Sequence, residues 1–197
     1  MYNTKLVITA FVCVSILACK KNSTTPPPVK KQETPLQNLV TTKFIDSVTI
    51  MNNGNFEIGY RFSSNKNGHI TKLGCYMPDG LTYRVALWDS TTKNLIVAVS
   101  VKVTDSTKFT YTDISPIPIV ANKKYVVSIN NTVGGSNRNY FILRRKTPNT
   151  LTFPLTNASI MIEAQQEFSC STLCFPQNAY TNGYLTGVPD FVFEPDN

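Results

Sequence analysis

The sequence predicts an all-β protein, an antiparallel β-sandwich of the jelly-roll or immunoglobulin-like kind with about ten strands. Three observations lead to this fold class. Short segments with an apolar residue at every second position recur along the chain, and turn residues separate them. No segment has the apolar period of an amphipathic helix. Charged residues make up only 16% of the 197 residues, whereas 42% are apolar, which suits a globular β protein.

The segment 55–89 is expected to seed the core as three strands separated by two turns. In residues 56–62, FEIGYRF, aromatic and aliphatic residues alternate with Glu57, Gly59 and Arg61, the pattern of a half-buried strand. The Asn67-Gly68 pair then predicts a tight hairpin, because such turns need residues with positive φ. Strands over 70–76 and 83–87 complete the unit.

The other strands are predicted from the same alternation. They lie in residues 44–50, 95–103, 107–112, 124–130, 140–145, 160–164 and 190–194. The stretch ISPIPIV at 114–120 contains two prolines, so it is expected to be an edge strand or a crossing loop. Residues 131–139, NTVGGSNRN, are predicted to be a polar loop.

The first 18 residues have the layout of an export signal, with Lys5 before a short apolar run that ends at Ala18. The sequence Ile16-Leu17-Ala18-Cys19 resembles a bacterial lipobox, which implies cleavage before Cys19 and lipid attachment to its thiol. The alternative is an ordinary secretory signal. We therefore expect an exported protein that is lipid-anchored to the bacterial envelope, at the outer membrane. Which side of that membrane it faces stays open.

Residues 19–37 follow as a segment rich in proline and lysine, predicted to be a flexible tether. Residues 38–197 form the predicted single sandwich domain. No second core and no internal repeat is evident. The net charge of +7 is read as an aid to solubility, with attraction to an acidic glycan or anionic lipid as the alternative.

Four motifs carry a resemblance to a known family. EIGYRF, GHITKLGCYMPDG, YRVALWD and KKYVVSIN together resemble a family of extracellular bacterial sandwich domains, domain of unknown function 4082. The matching positions are 59–62, 68–76 and 85–89, and VPDFVF at 188–193 is similar to the family's final strand. The resemblance would cover about Phe44 to Pro195. It implies a sandwich fold and, by analogy, a binding or spacer role.

Cysteine and histidine usage predicts neither a metal centre nor a cofactor. Cys13 lies in the predicted signal, whereas Cys170 and Cys174 are close enough for a local disulfide in an oxidising compartment. Cys75 is expected to be a small buried residue. His69 is the only histidine and follows a turn, so we expect it to be solvated.

An enzyme is not expected. No G-x-S-x-G motif accompanies the single histidine, which disfavours serine hydrolase chemistry. The carboxylate pairs Glu163 with Glu167, or Asp89 with Asp190, leave a small hydrolase as a third hypothesis. Nucleic acid is not an expected partner, because basic and aromatic residues are not interleaved in the manner of single-strand binders.

The leading hypothesis is a binding module for a glycan or another extracytoplasmic ligand. Its candidate residues are Tyr140, beside the predicted polar loop, and the loop aromatics Tyr180 and Tyr184, with Arg138 available for an acidic sugar. Arg144 and Arg145 are candidates for the same role, and Trp88 is expected to pack in the core. The alternative is a structural or partner-docking lipoprotein, which would show an apolar patch or an unpaired edge strand instead.

Overall fold

The computed structural model describes residues 30–196. The predicted signal, Cys13, the predicted lipid site Cys19 and the first part of the predicted tether lie outside the described residues. Within them the chain forms one short helix and otherwise strands. No helix in this part of the chain is long and apolar enough to cross a membrane.

The elements follow one another along the chain in this order: α1 (Pro35–Thr41), β1 (Ser47–Met51), β2 (Phe56–Ser64), β3 (Gly68–Cys75), β4 (Thr82–Asp89), β5 (Leu95–Lys102), β6 (Thr110–Ile119), β7 (Lys124–Asn130), β8 (Thr132–Val133), β9 (Ser136–Asn137), β10 (Tyr140–Arg144), β11 (Leu151–Thr152), β12 (Leu155–Asn157), β13 (Ile160–Ser169), β14 (Asn178–Tyr180), β15 (Asn182–Gly183), β16 (Leu185–Thr186) and β17 (Pro189–Pro195).

The first layer is one large antiparallel sheet. Its strands lie side by side in the order β12-β13-β2-β7-β4-β5, and β14 pairs with the far end of β13. The second layer consists of two three-stranded sheets, β17-β3-β6 and β1-β10-β16. The predicted all-β sandwich is therefore confirmed.

The two small sheets of the second layer meet where the chain passes directly from β16 into β17. There the Gly187 amide donates to the Phe141 carbonyl, and the Tyr76 amide donates to the Val188 carbonyl. Gly187 has a φ of +77°, and a Cβ on it would collide with the Ile58 side chain of the facing layer. A glycine is needed because the backbone is left-handed and lies close to the core.

The core joins the layers through aromatic rings that pack against one another. The Phe62 ring on β2 lies 4.5 Å from the Phe191 ring on β17 and 5.7 Å from the Tyr125 ring on β7, centroid to centroid. Tyr60 lies 6.4 Å from Phe191. All four side chains are buried. Burial of each such ring stabilises the folded state by about 1.5–3 kcal/mol, so these contacts hold the two layers together.

The predicted unit at 55–89 has its three strands but not its hairpins. β2 pairs with β13 and β7, β3 pairs with β17 and β6, and β4 pairs with β7 and β5. The chain therefore crosses from the first layer to the second at residues 65–67 and back again before β4. Gly68 does not have positive φ. It is needed because a Cβ would collide with the Glu194 carbonyl and the Phe193 ring.

The segment before β1 contains a helix that the sequence analysis did not predict. Leu36 and Leu39 on α1 are buried against the sandwich. The buried Asp190 carboxylate on β17 caps this helix, accepting the Leu36 amide at 3.2 Å and the Gln37 amide at 2.9 Å. The Asp190 carboxylate thus accepts hydrogen bonds from the free amides of the first turn. The side chain of the N-cap residue, here Thr34, ordinarily has this role.

The predicted boundary between tether and domain at residues 37 and 38 is wrong, because residues 33–37 belong to the folded domain. Glu33 forms a β-bridge with Phe193, and its buried carboxylate accepts the amide and the hydroxyl of Ser159. Ordered packing therefore begins at Glu33. The composition of 19–37 suggested a tether throughout, but these few residues complete the edge of the second layer.

Among the described residues, ten strands have five or more residues, and they correspond to the ten predicted ones; β7 has the predicted bounds, and the other nine have changed ends. β6 runs through the prolines of 110–119 as an edge strand, since it pairs only with β3. β13 continues to Ser169, five residues beyond the predicted end. The predicted loop 131–139 contains the short hairpin of β8 and β9.

Candidate functional site

A pocket opens where the two layers separate at one end of β13. Its volume is about 210 Å³, and we call it the tyrosine pocket. Its lining consists of polar and aromatic side chains from β13, β14, β15 and the residue before β16, namely Gln165, Glu167, Tyr180, Asn182 and Tyr184. Gln165 and Glu167 form the floor of the pocket because their side chains point toward the interior. Gln165 is paired with Tyr60 and Glu167 with Ile58, and both partners face the core.

The floor of the tyrosine pocket is held in place by Gln165. This side chain is 3% exposed, and its amide nitrogen donates to the Glu167 carboxylate at 3.0 Å and to the Thr186 hydroxyl at 3.0 Å. The contact with Thr186 on β16 ties the first layer to the second. The Glu167 carboxylate is therefore held at a fixed place, with lone pairs still available to a ligand.

The rim carries two tyrosine rings. Tyr180 is 43% exposed and Tyr184 is 39% exposed, which is high for residues of this size. The charge of Glu167 raises the pKa of the Tyr180 hydroxyl, so this hydroxyl stays protonated and able to donate. Asn182, between the two tyrosines, adds an exposed amide to the lining. The pocket thus combines two aromatic surfaces with one carboxylate and two amides.

Two of the four predicted ligand-binding residues lie outside the pocket. Tyr140 begins β10, as the predicted strand over 140–145 implies, but it is not available to a ligand, because it is 3% exposed and donates its hydroxyl to Asn53 at 2.5 Å. Burial raises its pKa to about 12, with further contributions from the charges of Glu167 and Tyr184. It therefore lies behind the pocket. Arg138 does not line the pocket either, since its guanidinium donates to the Val133 carbonyl in the neighbouring turn.

Sequence reasoning found the tyrosines of the rim but missed the floor. Tyr180 and Tyr184 stood out because they are aromatic residues among glycine and asparagine in a predicted loop. Gln165 and Glu167 fell beyond the predicted end of their strand, so nothing indicated which face they occupy. Asn182 belonged to the same tyrosine-rich stretch and could have been named with its neighbours.

A second polar cluster lies on the outer face of the large sheet, beneath the loop after β13. A disulfide joins Cys170 to Cys174, with 6.8 Å between their Cα atoms. The following Phe175 ring stands edge-on to Trp88 at 5.9 Å. Trp88 is thus buried as expected, but outside the main core, and its indole nitrogen donates to Ser128 at 2.8 Å.

The same loop closes over the buried Glu57 carboxylate. Ser128 donates to it at 2.5 Å, Asn130 at 3.1 Å and Arg84 at 3.3 Å. Burial raises the pKa of Glu57, although these partners oppose the shift. The Asn130 amide also donates to the carbonyls of Cys170 and Thr172, so the loop is fastened to the cluster.

Glu57 and the two bridged sulfurs lie within 4.8 Å of one another, the spacing of a metal-ligand group. Thiolates bind metals, and sulfurs bonded to each other are not thiolates. Glu57 already has three hydrogen-bonding partners. This arrangement therefore has the composition of a structural clamp rather than a metal centre.

Neither predicted carboxylate pair converges on a cleft. Glu163 and Glu167 are four residues apart on one strand, which corresponds to about 13 Å. Burial opposes ionisation of Glu163, but hydrogen bonds from Lys124 and Ser63 lower its pKa overall. Asp190 caps α1 in the core, whereas Asp89 is the last residue of β4 and pairs with Lys123 at 2.7 Å.

The remaining candidates from the sequence occupy structural positions. Cys75 is fully buried at the end of β3, and burial raises the pKa of its thiol to about 12. His69 is partly exposed, with its Nδ1 3.6 Å from Asp196. Neither lines the tyrosine pocket.

The comparisons with known proteins add a family but no activity. The sequence profile described as domain of unknown function (DUF4082) matches residues 45–186. This range includes every residue that lines the tyrosine pocket and ends just before β17. No curated protein matches the chain.

Proposed function

Since the chain belongs to the DUF4082 family, whose description names no activity, we propose from the pocket itself that it is a non-catalytic binding module for a glycan. The observation that carries this proposal is the tyrosine pocket, in which two exposed rings stand over a fixed carboxylate and two amides. We place the module on the bacterial envelope, attached by a lipid at Cys19.

The pocket has the surfaces that a sugar needs. One face of a pyranose ring presents C–H groups and packs on an aromatic ring, while its hydroxyls require hydrogen-bonding partners around the edge. Tyr180 and Tyr184 supply the rings and the hydroxyl donors. Glu167 accepts from sugar hydroxyls, and charge-assisted bonds of this kind are about twice as strong as neutral ones. Asn182 both donates and accepts.

The size and charge of the pocket narrow the ligand class. Ordinary small-molecule sites enclose roughly 300–1,000 Å³, so a pocket of about 210 Å³ suits one sugar unit at the end or side of a glycan. A carboxylate on the floor repels an acidic sugar and attracts an amino group. We therefore propose neutral or amino sugars as the ligands. An acidic sugar, for which Arg138 is a candidate from the sequence, does not suit this pocket, because Arg138 does not line it.

The fold separates the pocket from the tether, which suits an anchored receptor. Glu33, where packing begins, contacts Ser159 at the start of β13, and Glu167 lies eight residues further along. Eight residues of strand correspond to about 26 Å. A domain tethered through residues 19–32 would thus carry its binding site at the end remote from the anchor.

The test is a glycan array probed with the full mature protein and with three variants. Tyr180→Ala and Tyr184→Ala each remove one ring, and Phe44→Ala removes a ring of the same 39% exposure as Tyr184 elsewhere on the surface. We expect each tyrosine variant to weaken binding to neutral or amino glycans about 2- to 10-fold, the worth of one aromatic contact. Phe44→Ala should bind normally. Flat signals from folded protein, or equal losses in all three variants, would refute the proposal.

The anchor is tested separately. The mature protein should partition into detergent and carry acyl chains at Cys19, whereas Cys19→Ser should stay in the aqueous phase. An unmodified cysteine in the mature protein would rule out lipidation without affecting the sugar proposal.

A docking role is the second candidate, and one observation favours it. β5 is an edge strand of the large sheet with an apolar sequence, and Leu95 and Ile96 are 42% and 36% exposed. Edge strands of this kind pair with strands of other proteins. Ile96→Lys should abolish the cross-linking of an envelope partner if this candidate is right and leave glycan binding unchanged.

A further inference from the structure

A second exposed surface lies on β1 and the segments that flank it. β1 is an edge strand that pairs only with β10. Two of its aliphatic side chains are unusually open to solvent, since Val48 is 40% exposed and Ile50 is 61% exposed. Phe44, just before the strand, is 39% exposed. Exposed apolar residues are ordinary when scattered, but three within seven residues form a patch.

Basic side chains surround this patch. The guanidinium of Arg145 lies 5.1 Å from the centre of the Phe44 ring. Lys43 and Lys146 continue the two segments. We call this surface the basic face, consisting of Lys43, Phe44, Val48, Ile50, Arg145 and Lys146.

The positive charge of the basic face is poorly compensated. Its one acidic neighbour in sequence is Asp46, which accepts the backbone amide of Lys146 at 2.7 Å. Among residues 30–196, none of the three basic side chains lies within 4 Å of a carboxylate, whereas six lysines elsewhere form such pairs. The basic face therefore carries free positive charge beside apolar side chains.

We propose that the basic face is a contact surface for an anionic lipid bilayer. Basic residues gain energy close to anionic headgroups, and apolar side chains gain energy by entering the interface. An acidic polysaccharide or nucleic acid would use the charges but not Val48 and Ile50. The combination of both on one edge favours the bilayer.

The basic face and the tyrosine pocket use different faces of the β1-β10-β16 sheet. Continuing the β10–β16 register by one pair places Arg144 beside Tyr184 at the rim of the pocket, on the side where Arg144 pairs with Ser47. Because side chains alternate along a strand, Val48 and Ile50 lie on the other face. The proposal is independent of sugar binding.

The experiment uses the full mature chain with Cys19→Ser, which removes the proposed lipid anchor, and vesicles of phosphatidylcholine with or without phosphatidylglycerol. Hydrogen exchange reports on the amides of β1, and covalent labelling of lysine compares Lys43 and Lys146 with Lys102. Lys102 is exposed at the end of the opposite edge strand and serves as the internal control. We expect protection of β1, Lys43 and Lys146 only with phosphatidylglycerol, and its loss in high salt.

Charge-matched variants make the test specific. Lys43→Glu with Arg145→Glu reverses two charges in the basic face, and Lys66→Glu with Lys93→Glu reverses two exposed charges elsewhere. Each basic residue near an anionic surface changes partitioning about fivefold, so the first pair should raise the lipid concentration for half protection at least about 25-fold. The second pair should change it far less. Ile50→Ser should weaken protection without altering the salt dependence.

Four results would overturn the proposal. Protection could be absent with both lipids, or equally strong with phosphatidylcholine alone. The two charge-reversed pairs could weaken protection equally, which would mean a response to net charge. Finally, an acidic polysaccharide could protect the basic face where vesicles do not, and the partner would then be an acidic polymer.

Discussion

Replacing the buried Asp190 should change how the stability of the protein depends on pH. This carboxylate accepts four hydrogen bonds, two from the first-turn amides of α1 and one each from the hydroxyls of Tyr60 and Tyr111. Those donors favour the charged form, whereas complete burial disfavours it. Burial is the larger effect and raises the pKa of Asp190 from 3.8 to about 6.

The direction of the effect follows from linkage between protonation and folding. A carboxyl group with a raised pKa in the folded state binds its proton more tightly when the chain is folded. Its contribution to stability is therefore fully present below pH 3.8 and is lost as the pH rises through about 6. One pKa unit corresponds to about 1.4 kcal/mol, so the loss amounts to about 3 kcal/mol.

The assay is urea unfolding of the wild type and Asp190→Asn from pH 3 to pH 7.5, followed by circular dichroism. Subtracting the free energy of unfolding of the variant from that of the wild type at each pH removes the contribution of all other carboxyl groups. The wild type should lose about 3 kcal/mol relative to the variant over this range. Asp113→Asn, which removes a charge from an 84% exposed side chain, is the control and should show almost no such change. A difference that stays flat or rises with pH would mean that the donors outweigh burial, and the reasoning would be wrong.

Three other changes test separate parts of the structure. Leu36→Ala removes a fully buried side chain from α1 and should cost about 2–5 kcal/mol in urea unfolding, whereas a dispensable tether residue would cost nothing. Cys170→Ser with Cys174→Ser should lower the free energy of unfolding by about 2 kcal/mol. It should also shift the fluorescence of Trp88 to the red, because the loop no longer holds Phe175 over the indole ring. Unchanged emission would show that the disulfide does not keep Trp88 covered. Glu167→Gln should weaken binding of a neutral or amino sugar about fivefold in calorimetry and improve the binding of acidic sugars. The reason is that glutamine keeps the shape of the pocket and removes its charge. Unchanged selectivity would mean that the Glu167 carboxylate does not determine which sugars bind.

The strands were predictable because their alternation is local. In residues 56–62, for example, every second side chain is apolar, and this alone establishes that one face is buried. The pairing of strands was not predictable in the same way. Asn67-Gly68 is a strong hairpin signal, yet the flanking strands lie in different layers. Alternation does not say which strand will be the neighbour.

The helix α1 escaped prediction because it is short and depends on distant contacts. Its seven residues follow a proline-rich stretch, and two turns are too few for a clear helical period. Its cap comes from Asp190, more than 150 residues away in the chain, so no local capping signal exists. Such elements are stabilised by the tertiary structure that they complete.

The candidate site was half predictable for a similar reason. Aromatic residues in a polar loop, such as Tyr180 and Tyr184, suggest exposure from sequence alone. Glu167 becomes part of the site only because β14 and β16 lie across from its strand, at a place where the two layers part. Tyr140 was a candidate because it stands beside a polar loop, but the strand that it begins pairs with β1, and its side chain is buried.

The most direct test of the central claim is to observe the tyrosine rings while a ligand binds. Nuclear magnetic resonance of ring-labelled tyrosine would follow a titration with the neutral or amino sugar that binds best on the array. The account predicts saturable shifts of the Tyr180 and Tyr184 rings, a smaller response from Tyr140 behind the pocket, and none from Tyr83 or Tyr125. Shifts confined to other rings, or no shift while the sugar demonstrably binds, would place the binding site elsewhere and contradict the account.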